Sequence, residues 1–65
     1  MELRVNGESH TTDSITLGEL IQELGLSTEA LVVEWNEQII RQERWTEIKL
    51  STQDRIELLN FVGGG

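Results

Sequence analysis

The chain ends in Phe61-Val62-Gly63-Gly64-Gly65, and the chemistry available there is that of an α-carboxylate on a backbone without side chains. Glycine lacks a Cβ, so such a segment is thin, adopts conformations closed to other residues and can thread a narrow cleft. The Gly65 carboxylate is a poor nucleophile. It can nonetheless attack the α-phosphate of ATP if another protein supplies Mg²⁺ and cationic groups that position both reactants. The product is an acyl adenylate, and a sulfur nucleophile attacking it would leave a thiocarboxylate on Gly65. The same adenylate could instead be passed to a lysine of a target protein. In either case the chain needs no catalytic side chain and binds no cofactor itself; MgATP is used by the activating partner. The plain alternative is an idle, frayed end. Presentation is favoured because the glycines directly follow an apolar strand.

Other residues offer less. His10 has no Asp, Cys or second His at metal-ligand spacing, and Ser9 beside it forms no nucleophile–base unit on local evidence, so a surface position and no metal site are expected. Glu34, Glu37, Glu43, Glu47 and Glu57 could include an acid–base pair, but an acidic surface brings carboxylates together by chance. Electrostatic docking on an activating enzyme, with apolar residues of an exposed sheet face such as Leu59 or Phe61, is the better use for them. Trp35 and Trp45 could form a docking patch, but a Trp at an inward strand position, and another isolated among charges, is more often a core residue.

The elements that would carry the tail can be read from periodicity. Leu3 and Val5 alternate into Asn6-Gly7, a hairpin signal, and a polar return strand from Glu8 to Thr12 suits a sheet edge. Thr16 stands three residues before Glu19, the spacing of a capping box, and Leu17, Leu20, Ile21 and Leu24 then form one helical stripe that Gly25 stops. Leu26 is expected to extend the apolar contact. Leu31, Val33 and Trp35 alternate in a third strand, followed by an Asn36-Glu37-Gln38 turn and a return at Ile39-Ile40. Arg41 to Lys49 reads as irregular or one short helical turn held by Trp45, and Ser51 to Asp54 as a turn. The last strand, from Arg55 to about Val62, has apolar residues on both parities and is expected to be central and buried on both faces.

At 65 residues with no cysteine, the chain is expected to be one domain over residues 1–62 with a flexible glycine tail over 63–65. It leaves little room for an enclosed active site. A net charge of −7, with acidic residues spread from Glu2 to Glu57, disfavours nucleic acid and fits either solubility or a basic docking surface. No apolar run approaches the roughly 20 residues of a membrane span, and no leader pattern opens the chain, so the cytoplasm is the expected compartment.

Val5-Asn6-Gly7, Thr16-Leu17-x-x-Leu20-Ile21, Asn36-Glu37-Gln38-Ile39-Ile40 followed by Trp45, and Phe61-Val62-Gly63-Gly64-Gly65 together resemble the ThiS family of sulfur carriers over essentially the whole chain. The resemblance implies an α+β, ubiquitin-like β-grasp fold: a mixed sheet of four to five strands with one main helix packed on one face. It also implies a protein cosubstrate, not an enzyme. Gly65 would be adenylated by a ThiF-type adenylyltransferase and converted to the thiocarboxylate with sulfur from a donor such as a cysteine desulfurase. Delivery to a ThiG-type thiazole synthase for thiamine biosynthesis would follow. Gly64 and Gly65 match the family's terminal pair, and Phe61, Val62 and Gly63 its partner-binding approach. Arg41 replaces a frequent proline, and Thr52-Gln53-Asp54 an Asp-Gly turn. Three alternatives stand beside this: a MoaD-like carrier for molybdopterin synthesis, a ubiquitin-like modifier conjugated through its terminal glycine, and a plain interaction domain.

Overall fold

The computed structural model describes residues 1–60. Strand β1 (Glu2–Val5) turns through Asn6 and Gly7, both at positive φ, into β2 (Glu8–Thr11). The two are antiparallel, with Val5 opposite Glu8. Positive φ at both central positions matches the right-handed twist of the flanking strands, which is why Asn-Gly serves here.

The capping box forms as its spacing predicts. The Thr16 side chain accepts the Glu19 backbone N–H at 3.1 Å, and the Glu19 carboxylate accepts the N–H groups of Ile15 and Thr16. Helix α1 (Leu17–Leu24) starts there and ends on Gly25 at φ 68°, with Leu17, Leu20 and Ile21 buried and Leu24 half-buried. Gly18 is used for closeness: a Cβ there would lie 3.1 Å from the Thr46 methyl carbon. Leu26 departs from expectation. It is 36% exposed, just past the left-handed stop at Gly25.

Strand β3 (Leu31–Trp35) turns through Asn36 and Glu37, both at positive φ, into β4 (Gln38–Ile39). The loop is one residue shorter than its composition suggested, because Gln38 pairs with Trp35. Ile40 is buried and its N–H donates to the Val33 carbonyl at 2.9 Å. A 3₁₀ helix (Gln42–Glu47) follows, anchored by the buried Trp45, whose Nε1 donates to the Ile40 carbonyl at 2.9 Å.

Strand β5 (Arg55–Asn60) completes a five-stranded mixed sheet in the order β2-β1-β5-β3-β4, parallel to β1 and antiparallel to β3. It is central, as expected, but not buried on both faces. Ile56 is fully buried and Leu58 half-buried, whereas Leu59 is 56% exposed. One helix covers one face, and the described residues place no second layer on the other. The core therefore lies between α1, the 3₁₀ helix and the inner sheet face, where Leu3, Leu17, Leu20, Val33 and Ile56 lose all solvent contact. Each such side chain contributes about 1.5–3 kcal/mol of transfer free energy.

Candidate functional site

The residues assigned from sequence to the chemistry, Phe61, Val62, Gly63, Gly64 and Gly65, lie outside the described residues. What the structure describes is the strand that precedes them in sequence, called here the root. Beyond Val5 the β1 edge is continued by the hairpin residue Asn6: its N–H donates to the Ile56 carbonyl at 2.8 Å, and its Oδ1 accepts the Leu58 N–H at 2.7 Å. On the other side Asn60 pairs with Leu31, and its Nδ2 donates to the Ser27 carbonyl at 2.9 Å. Hydrogen bonds on both edges thus fix the strand that carries the tail up to its last two residues. The base of the segment is held in the middle of the sheet and not on a loose edge.

The face around this root is open. Leu59 is exposed beside half-buried Val32, and Ile39 on β4 is 69% exposed. Glu57 stands opposite Glu34 on the same face. This is the arrangement expected of a protein-docking surface, with apolar residues beside charged ones.

Of the five glutamates weighed as an acid–base pair, Glu34 and Glu57 are the two that the sheet sets opposite each other. Glu43 and Glu47 face Arg41 and Arg44 at 3.8 and 3.6 Å on the exposed surface, and Glu37 sits in a hairpin turn. The Ser9 hydroxyl donates to Glu2, not to His10, while His10 Nε2 lies 2.9 Å from Glu23 Oε2. His10 is accordingly half-buried and paired, more engaged than a free surface residue. No group of three potential metal ligands occurs among the described residues. Nor is any helix there long and apolar enough to cross a membrane. Trp45 is a core residue, and half-buried Trp35 donates its Nε1 to Asp54.

Two polar hubs escaped the sequence reading. The Glu23 carboxylate accepts from Thr12, from Ser14 at 2.8 Å and from His10, and these donors, Thr12 foremost, lower its pKa to about 2. Buried Asp54 accepts from Trp35, Asn36 and the Ser51 N–H. Burial pushes its pKa up, but the three donors outweigh that and hold it below the ordinary value. Glu23 carried no signal beyond its place late in the helix. Asp54 carried only that of a turn residue.

A single helix packed on one face of a five-stranded sheet in this strand order defines the ubiquitin-like β-grasp class. The crystal structure of a ThiS protein from Geobacter metallireducens superimposes with a TM-score of 0.84 at 32% identity, covering 100% of both chains. The sulfur carrier protein ThiS of Bacillus subtilis is 37% identical over 65 residues, covering 97% of this chain and 98% of that one. A thiazole synthase of Magnetococcus marinus is 33% identical over 66 residues, which span all of this chain and 20% of that protein. The ThiS family model matches residues 3–65, and the chain belongs to that family.

Proposed function

We propose that this chain is a sulfur carrier of thiamine biosynthesis, activated and loaded at Gly65. The observation that carries the reading is that the family match runs through residue 65 and so includes the glycine end, while β5 holds the root of that end by hydrogen bonds on both edges. A ThiF-type adenylyltransferase would bind MgATP and bring the α-phosphate to the Gly65 carboxylate. A carboxylate oxygen attacks phosphorus, pyrophosphate leaves, and the acyl adenylate forms. Excess cysteine thiol reduces the persulfide that a cysteine desulfurase forms and so releases hydrosulfide; the hydrosulfide attacks the acyl carbon, expels AMP and loses its proton, leaving the thiocarboxylate. The chain itself contributes a rigid root, a docking face and an end slender enough to enter another protein's active site. It acts as a cosubstrate in the cytoplasm.

The destination is supported by the relatives. The Bacillus subtilis protein is a named sulfur carrier of this family, and thiazole synthases of two bacteria contain a segment matching this whole chain. A ThiG-type thiazole synthase is accordingly the acceptor of the sulfur.

The test is an intact-mass spectrum after incubation with a ThiF-type enzyme, MgATP, cysteine and a cysteine desulfurase, beside a chain lacking Gly65. Replacement of one oxygen by sulfur in the terminal peptide of the full chain alone is the expected result. An unchanged mass with an active enzyme would reject the carrier reading, and conjugates to lysine would indicate a modifier.

A further inference from the structure

On the outward side of β5 the residues run Arg55, Glu57, Leu59, and each has a neighbour of its own kind on the next strand. Arg4 lies beside Arg55 in the parallel β1–β5 register. Glu34 faces Glu57, and Val32 faces Leu59, in the antiparallel β3–β5 register. All six belong to the open face, because the alternate residues Leu3, Val33 and Ile56 are fully buried. Among the described residues the ion pairs within 4 Å lie elsewhere, and none joins either charged rung. Glu2, also outward on β1, is engaged by Ser9 and Gln53.

Like charges directly opposite one another on a sheet destabilise it. Exchanging one residue of each pair would make both rungs attractive, so this arrangement does not serve the fold. It is also improbable for a chain with five basic residues against twelve acidic ones to set two arginines side by side by chance. A face whose rungs are positive, then negative, then apolar suits a partner with the opposite order. Sliding such a partner by one rung, about 7 Å, would set like charges against each other, so the sign change specifies one register.

We infer that the Arg4–Arg55, Glu34–Glu57 and Val32–Leu59 rungs are the register-setting docking surface for the enzyme that adenylates Gly65. That enzyme would present carboxylates over the arginines, cations over the glutamates and an apolar patch over Val32 and Leu59. The inference rests on the carrier reading above. Its physical basis is position: the third rung ends at Leu59, so a partner that holds all three rungs holds the strand one residue before Asn60, after which the last five residues of the sequence follow. Five residues reach at most about 17 Å, and a docking slip of one rung is a large fraction of that reach. Net charge alone would call for a uniformly basic partner, which the arginine rung would repel.

The experiment is ATP–pyrophosphate exchange by a ThiF-type adenylyltransferase, measured against concentration of the full chain, for the wild type, Arg4→Gln/Arg55→Gln and Glu34→Gln/Glu57→Gln. Both double variants are expected to raise KM about three- to tenfold with kcat unchanged. Neither should lower Tm, since each removes a like-charge pair. A fall in KM for the arginine variant with a rise for the glutamate variant would show simple attraction by net charge and overturn the inference. So would an unchanged KM in both. Sedimentation of the chain alone should show a monomer; a dimer dissolved by either variant would assign the face to a second copy instead. If the wild type supports no exchange, the carrier reading fails and takes this inference with it, whereas wild-type exchange with flat KM values removes the docking surface alone.

Discussion

Trp35 and Asp54, nineteen residues apart, are joined by a 2.9 Å hydrogen bond from the indole Nε1 to Oδ2. The other carboxylate oxygen accepts Asn36 Nδ2 at 3.0 Å, and the Ser51 N–H donates to Oδ2 at 2.8 Å. Asn36 Oδ1 in turn accepts the Arg55 N–H at 2.9 Å, so one acidic side chain ties the β3–β4 turn to the start of β5. Replacing Asp54 by Ala should cost about 2–3 kcal/mol, because it strands donors in a partly buried place. Urea unfolding followed by tryptophan fluorescence would read this, and a loss below about 0.5 kcal/mol would show the hub to be incidental.

Acid should unfold the protein partly through Glu23. Its folded-state pKa, lowered from 4.5 to about 2 by Thr12, Ser14 and His10, means that folding favours the ionised form. The stabilisation is complete above pH 4.5 and is lost as pH falls toward 2. Thermal midpoints of Glu23→Gln should lie below the wild type at pH 6 and converge on it near pH 2. Parallel curves across that window would dismiss the Glu23 network as a source of acid lability.

Gly18 permits the approach of Thr46, whose methyl carbon would lie 3.1 Å from an added Cβ. A leucine there gains helix propensity but must push the 3₁₀ helix away, and overpacking of this kind costs about 1–3 kcal/mol. The Gly18→Leu variant should show a lower Tm and a red-shifted Trp45 emission. Higher stability in that variant would mean that Thr46 moves freely.

Removing the indole donor while keeping an aromatic ring isolates the bond from Trp45 to the Ile40 carbonyl. Trp45→Phe leaves that buried acceptor unpaired and loses ring volume, with an expected cost of about 2–4 kcal/mol. In a 65-residue domain, whose total stability is of order 3–10 kcal/mol, such a loss should leave a measurable unfolded fraction near 37 °C by circular dichroism.

Exposed Leu59 makes the opposite case. Leu59→Ser should leave Tm within about 0.5 kcal/mol of equivalent stability, since the side chain already meets water. It should weaken binding of whichever enzyme takes the tail, as seen in KM for adenylate formation. A binding curve equal to that of the wild type would remove Leu59 from the docking surface.

Local chemistry made much of this fold legible in sequence. Asn6-Gly7 specified a hairpin because positive φ is needed at two successive residues, and Thr16 with Glu19 specified a helix start because each satisfies the other's N–H groups. The stripe from Leu17 to Leu24 and the alternation from Leu31 to Trp35 mark their inward faces by periodicity alone. The glycine end, and with it the chemistry proposed for Gly65, was also read from the sequence, because that proposal depends on the absence of side chains and on one carboxylate.

Other features depended on which strands became neighbours. Apolar residues on both parities of β5 suggested two covered faces, yet a single helix leaves Leu59 in water, a matter of layer count that no local pattern encodes. Asp54 became a hub because the chain brings it back against Trp35 and Asn36, and Glu23 because β2 and the loop after it pack across the last turn of α1. The two arginines and two glutamates were scattered charges until the register of β5 against β1 and β3 set each beside its like. Composition and spacing determine what each segment can form; the pairing of segments distant in sequence decides which side chains share a face, because that pairing is settled by burial of the whole core at once.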